Sequence, residues 1–220
     1  MKFSLLRSKI HHDLSNCLEL NKMIEKFLVS ERKRLGEKFC KEATGLCEEE
    51  KDYLLGWYDS DFIQLQEVFP RLQRCSLFVT TFSSFESNLI ALCRAMAELL
   101  TLETTYSKPR SRSIDDDALE FLEQRCLVKM KRILPYRETI SKLRRLRNCI
   151  VHGDGKLNDR NPNELKVFFS KMPSILINDR DVIILRKGFV EIVIHEIKNF
   201  FEMLIYSCKE RLNADLANAN

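Results

Sequence analysis

The chain has 220 residues, of which 45% are hydrophobic and 31% charged, and its net charge is +4. That is enough apolar material for one well-buried domain, and it excludes a disordered or collagen-like chain. Only six Gly and five Pro interrupt a sequence rich in Leu, Glu, Lys and Arg, so helices rather than tight β-turns are expected.

In chain order, the opening MKFSLLRSKIHHDL has one apolar patch that breaks at Arg7, without the apolar core and cleavage site of a secretory signal. A cytoplasmic protein is therefore expected. Apolar residues at Ile10, Leu14, Cys17, Ile24 and Leu28 predict a long first helix over Leu6 to Leu35, with Asn21 in one slot of the seam. LLGWYDSD, from Leu54 to Asp61, reads as a connector. From Phe62 to Thr101 the series Phe78, Phe82, Phe85, Leu89, Leu92, Met96 and Leu99 alternates steps of four and three and predicts the central core helix.

TTYSKPRSRS, from Thr104 to Ser113, reads as a basic loop. Ser113 and the acids up to Asp117 cap a third helix carrying Leu119, Leu122, Leu127, Met130 and Leu134 to a break at Pro135. A fourth helix follows from Tyr136 to His152 and stops at Gly153, then a polar loop, GDGKLNDRNPNE. Two β-branched runs, Ser174 to Asn178 and Asp181 to Arg186, predict a small β-hairpin before the last helix, Gly188 to about Leu212. The apolar stretch from Val182 to Cys208 contains Arg186, Lys187, Glu191, His195, Glu196, Lys198 and Glu202, too many charges for a membrane span. The reading is thus an all-α bundle, one domain over residues 1–212 with a hairpin at about 174–186, and a polar tail over 213–220.

Eight Cys form no Cys-x-x-Cys pair and sit mostly among Leu, Phe and Val, so they read as small buried hydrophobes, and no metal site is expected. His11 and His12 are adjacent on a helix and cannot chelate one ion from the same face, and His195 falls on the polar face of the last helix.

The charge is unevenly spread. Between Arg125 and Arg147 nine basic residues face the single acid Glu138, a local +8 that suits a polyanion. Within LRRLRNCIVHGDG, Leu143, Leu146 and Ile150 share one helix face with Arg147 beside them, while Asn148 and His152 lie one turn apart on another stripe. An arginine at the edge of a core is costly unless paired. Glu86 intrudes on a second apolar stripe of the Phe-rich helix (Val79, Ile90, Cys93, Ala97, Leu100), so an Arg147 to Glu86 ion pair that orients the guanidinium is expected.

Arg147-Asn148-Cys149-Ile150-Val151-His152 resembles the signature of the HEPN superfamily, an Arg and a His separated by four to six residues with Asn after the Arg. The similarity extends in order through the long first helix, the Phe-rich helix with SSFESNL, the DDDALEFL helix, the hairpin and GFVEIVIHEIKNFFEML. The resemblance implies a HEPN-like helical bundle and a metal-independent endoribonuclease, usually homodimeric, often a toxin or antiphage effector acting on tRNA or other RNA. No cofactor is implied; an antitoxin or activating partner is. Attack by a ribose 2′-hydroxyl needs a base, an acid at the leaving 5′-oxygen, and positive charge on the phosphorane. On that reading His152 moves a proton, Arg147 clamps the phosphate, Asn148 positions His152 or the phosphate, and Glu86 orients Arg147. Two Arg147 and His152 pairs across a two-fold axis supply both proton transfers. Arg144, Arg145, Lys108, Arg110 and Arg112 are the expected RNA contacts. Some HEPN proteins bind protein, nucleotide or RNA without cleaving it, which is the alternative reading. A tyrosine that carries a regulatory modification in one branch is replaced here by Asp154.

Overall fold

A computed structural model describes residues 2–107 and 113–218, a mostly helical chain with one two-stranded antiparallel hairpin. No described helix is long and apolar enough to cross a membrane. The first helix, α1 (Lys2–Glu42), runs about 60 Å at 1.5 Å per residue. Its first two thirds bury Ile10, Leu14, Asn21, Glu25 and Leu28, and beyond Leu28 it leaves the core. It passes through Gly36 and turns back at Gly45 (φ +88°), so it is longer than the apolar seam predicts.

Residues 54–61, expected as a connector, are instead part of α2 (Glu48–Ile63), which forms an antiparallel arm with the end of α1. Three acids in its first turn face the helix N-terminus, and the Glu50 carboxylate accepts from the Cys47 N–H at 2.9 Å. Tyr58 is the buried residue of α2: its ring meets Phe39 edge-on at 5.7 Å and its hydroxyl donates to Glu42 at 2.7 Å. The arm joins α3 (Phe69–Leu99) through a π-helical turn (Gln64–Val68), in which the Phe69 N–H reaches the Gln64 carbonyl. Pro70 follows and has no N–H to give, so the ladder has its loosest turn just before it.

α3 is the hub, as its spacing predicts. Phe78, Phe82, Phe85, Leu89, Leu92 and Met96 have no exposed surface, and the helix contacts α1, α4 (Ile114–Gln124), α5 (Leu134–Gly153) and α7 (Phe189–Asn218). Phe78 packs on Phe189 at 5.2 Å, and Phe85 on Phe200 and Phe201 at 5.4 and 5.5 Å. Each such ring contributes about 1.5–3 kcal/mol by leaving water. The charged and amide side chains inside this packing find partners, while the Thr81 and Ser207 hydroxyls are buried without one. Asn21 accepts from Gln73 at 2.9 Å and donates to Glu191, and Arg74 grips both oxygens of Glu25 at 2.6 and 3.0 Å while donating to the Leu185 carbonyl.

The third helix ends at Gln124, well short of Pro135. Leu127 adopts φ +55°, so its side chain is 63% exposed, and Val128 turns back to donate to the Leu122 carbonyl. A short 3₁₀ turn (Met130–Arg132) leads into α5, whose first turn takes Pro135 where no N–H is needed. The expected polar loop contains a further helix, α6 (Pro162–Phe169), which buries Leu165 and Phe169. The hairpin is present, with β1 (Ile175–Ile177) and β2 (Ile183–Leu185) in the register Ile175 to Leu185. Asn178 Oδ1 accepts from the Arg180 and Val182 N–H groups and shapes its turn. The last helix continues to Asn218, through most of the expected tail.

The basic run of α5 is mostly consumed by the fold. Arg144 donates to Asp115 at 2.6 Å and Asp116 at 3.0 Å, tying α5 to α4. Arg145 holds Asp159 at 2.5 Å and Glu164 at 2.6 Å, and Lys142 also pairs with Glu164, so two cations clamp α6 and its leading loop. Arg132 pairs with Glu210 and Arg137 with Asp116.

Leu127→Gly relieves a left-handed residue whose side chain does little packing, so stability should rise by about 0.5–1 kcal/mol, read as a higher urea midpoint. The Arg145 hydrogen bonds hold the Asp159 carboxyl below the usual carboxylate range. A depressed carboxyl stabilises the fold above its unfolded value, about 3.9, and that contribution is lost as pH falls through the folded value. Asp159→Asn should therefore be clearly less stable than wild type at pH 7, with the difference shrinking as pH falls below about 4; equal midpoints at pH 7 would count against the clamp.

Candidate active site at the end of α5

The C-terminal turns of α5 carry the Arg-Asn-x-x-x-His stretch. Leu143, Leu146 and Cys149 bury one face of the helix, and Ile150 packs at its margin. That orientation leaves Arg147 at the edge, against α3. Its Nη2 donates to Glu86 Oε1 at 2.7 Å, the pairing expected from sequence, with the two side chains only 19% and 14% exposed. The guanidinium also lies over the Phe82 ring, 5.6 Å from its centroid, where the ring quadrupole favours a cation. Arg147 Nε is buried without an acceptor. A flat cation fixed by a carboxylate, a ring and its own helix retains few rotamers.

Arg147 Nη1 donates to Asn148 Oδ1 at 2.9 Å, so the amide oxygen is engaged and the amide nitrogen is left to other partners. Asn148 and His152 are exposed and one turn apart. Arg147 and His152 are five residues apart, about 140° around the axis and 7.5 Å along it. Asn148 is bonded to the first and lies one helical turn before the second. After His152 the helix closes at Gly153 with Asp154 left-handed (φ 51°). Gly155, also at positive φ, accepts from the Ile183 N–H through its carbonyl, which moors the chain after the helix to the hairpin.

A cleft of about 160 Å³ opens beside this helix end, lined by Arg71, Leu72, Cys75, Ile150, Asp154, Gly155 and Ile183. It is smaller than the roughly 300 Å³ at which small-molecule pockets begin, so it offers no nucleotide a closed seat. Arg71, half exposed and 3.9 Å from Asp154, is a cation at the site that sequence reasoning missed. Its only signal in the sequence was a place one turn into α3, and nothing there tied it to residue 154. Leu72 and Val151 are exposed apolar side chains on the same end of the molecule.

The structure brings Glu86, Arg147 and Asn148 together and sets His152 at the end of the same helix. It does not bring Arg144 and Arg145 to the site as free cations: each guanidinium is held by carboxylates, as described above, which corrects the expectation that they wait for phosphate. Lys108, Arg110 and Arg112 lie outside the described residues. His11 instead pairs with Glu202 at 2.6 Å, and His195 contacts the Glu191 carbonyl. Among the described residues no group of His, Cys, Asp and Glu is arranged to hold a metal ion. Burial pushes the Cys126 thiol up to about 11 and raises Cys93 and Cys208 as well, and with Cys149 these act as the small buried hydrophobes expected; Cys17 and Cys75 are half-buried, and Cys40 and Cys47 are exposed, against that expectation. Comparison with protein-family models, curated proteins and solved structures gives no match.

The Glu86 and Arg147 pair is partly buried and specific, so a double-mutant cycle of Glu86→Gln, Arg147→Gln and both together should give a coupling of about 1–3 kcal/mol. Independent, additive losses would mean that the two groups do not support each other.

Proposed function

We propose that the protein is a HEPN-type, metal-independent endoribonuclease that cleaves RNA such as tRNA, by attack of a ribose 2′-hydroxyl on the adjacent phosphate at a homodimer interface. The observation that carries this reading is Arg147, immobilised by Glu86 and Phe82 and hydrogen-bonded to Asn148, on the helix that ends in an exposed His152. A phosphorane gains most from a cation already held in place, since no reorganisation is then needed as charge develops. In this scheme Arg147 stabilises the phosphorane through its remaining terminal N–H groups. His152 takes the 2′-hydroxyl proton or returns one to the 5′-oxygen, and Asn148 orients His152. A second copy supplies the other proton transfer, and the exposed Leu72 and Val151 are apolar surface suited to that contact. A role in toxin–antitoxin or antiphage defence, with an antitoxin or activating partner, belongs to the same reading.

A second reading, a non-catalytic HEPN module that binds a partner, draws support from one observation. Most of the basic run that suits a polyanion is committed to internal ion pairs.

The two are separated by incubating the protein with total cellular RNA in excess EDTA and mapping the new ends. Cleavage by the first reading leaves 2′,3′-cyclic phosphates, and His152→Ala lowers the rate by about 10²–10⁴-fold, the usual worth of a general acid or base. RNA that stays intact with a confirmed dimer, across several RNA sources, would favour the binding module. Glu86→Gln should slow cleavage while leaving its pH profile in place, because it acts on the cation and not on the proton carrier.

A further inference from the structure

The arm built from α2 and the end of α1 stands outside the core, and its outer face carries three features that folding does not explain. Tyr53 and Trp57 lie at i and i+4 on α2 and meet edge-to-face, with centroids 6.1 Å apart, yet they are 72% and 71% exposed. Trp57 is the one Trp in the chain. Between them in sequence is Gly56, in mid-helix, where a glycine weakens the helix relative to alanine. No heavy atom lies within 4 Å of a Cβ built there, so no internal packing requires it. It leaves a notch beside the two rings.

The third feature is charge. α2 contains six acids and one lysine, a net −5 in a chain whose total is +4. Among the described residues Lys51 to Glu48 is the one ion pair on this helix, so Glu49, Asp52 and Asp59 have no cation of their own. Helical spacing places Glu49, Glu50 and Asp61 beside the aromatic pair, three or four residues from one ring or the other, with Asp52 and Asp59 farther round the helix.

From this combination we infer that the outer face of α2 is a docking surface for an arginine-rich segment of a partner protein. Arginine is the side chain that both rewards exposed aromatic faces, by stacking and cation–π attraction, and neutralises flanking carboxylates through its fork of donors. The notch at Gly56 lets a flat guanidinium or a backbone come close. RNA is disfavoured, because the face repels phosphate. A second copy of this chain is a poor occupant, because the arginines of its basic helix α5 are held by its own carboxylates. The surface is separate from the proposed cleavage site, and the inference does not rest on that reading.

The test uses the full chain and two fluorescently labelled probes, nona-arginine and nona-lysine, with binding followed by anisotropy at physiological salt. Nona-arginine should bind at least tenfold more tightly than nona-lysine. Trp57→Ala and Tyr53→Ala should each weaken it at least tenfold, and Gly56→Gln, which favours the helix but fills the notch, should weaken it severalfold. All three positions are clear of the core, so an unchanged helical circular dichroism spectrum establishes that the variants fold. Equal affinity for the two probes, or indifference to Trp57 and Tyr53, would overturn the inference in favour of simple charge attraction. Self-association in sedimentation that Trp57→Ala abolishes would overturn it in favour of a second copy. Labelled RNA whose binding to the protein, with no peptide present, is lost in Trp57→Ala would overturn it as well.

Discussion

A helix enclosed by other helices can carry a charge only where a neighbour supplies the opposite one, and that constraint organises this molecule. α3 is surrounded by α1, α4, α5 and α7, and its phenylalanines leave no exposed ring in the middle of the bundle. Most of the strongly polar side chains admitted to that environment bring a partner with them, although the Thr81 hydroxyl does not. Arg74 takes Glu25 from α1, Asn88 donates to Asp13 of α1 and Ser84 of its own helix, and Glu86 takes Arg147 from α5. The last of these contacts lies at the base of the proposed site. The same burial that makes the Glu86 carboxylate demand a cation makes Arg147 stationary, and stationary positive charge is what a phosphoryl-transfer site needs.

The basic segment of α5 shows how a local excess of charge can serve packing rather than recognition. Its cations reach outward to Asp115 and Asp116 on α4 and to Asp159 and Glu164 around α6, while Arg132 of the preceding 3₁₀ turn pairs with Glu210 on α7. Those of α5 draw two separate elements onto one helix, so that it is held from more than one side. The rigidity of the Arg147 to His152 stretch therefore has its origin partly in residues that never approach a ligand. The same exchange leaves the neighbourhood of His152 close to neutral, with Arg147 and Arg71 balanced by Glu86 and Asp154. An RNA-cleaving role would then draw more on positioning than on a broad electrostatic field.

The legible parts of the fold were those written in periodicity. The alternation of fours and threes from Phe78 to Met96 identified the buried hub, and β-branched runs around Asn178 located the hairpin to within a residue or two. The intrusion of Glu86 on an apolar stripe was enough to pair it with Arg147, because an acid and a base at the margins of two packing faces have few other places to go. Periodicity failed where one face is not buried. α2 has apolar residues on both sides, an inner Tyr58 and an outer Tyr53 and Trp57, so no single stripe announced it. α6 is eight residues long and opens on Pro162 among polar residues that resemble a loop, and Leu127 continued an apolar pattern that its left-handed backbone interrupts.

What the sequence determined by itself was the helical class, the hub helix, the candidate site helix and the pairing at its base, since all of these follow from which side chains must leave water and which must not do so alone. What only the tertiary structure decided was the fate of individual charges and exposed rings. A cation becomes free or spent according to whether a carboxylate from a distant segment lies within about 3 Å of it, as Asp115 and Asp159 do for Arg144 and Arg145. An aromatic residue becomes core or surface according to which side of its helix meets the rest of the chain, as Tyr58 does and Trp57 does not. Both depend on contacts between residues far apart in sequence, which local spacing does not encode.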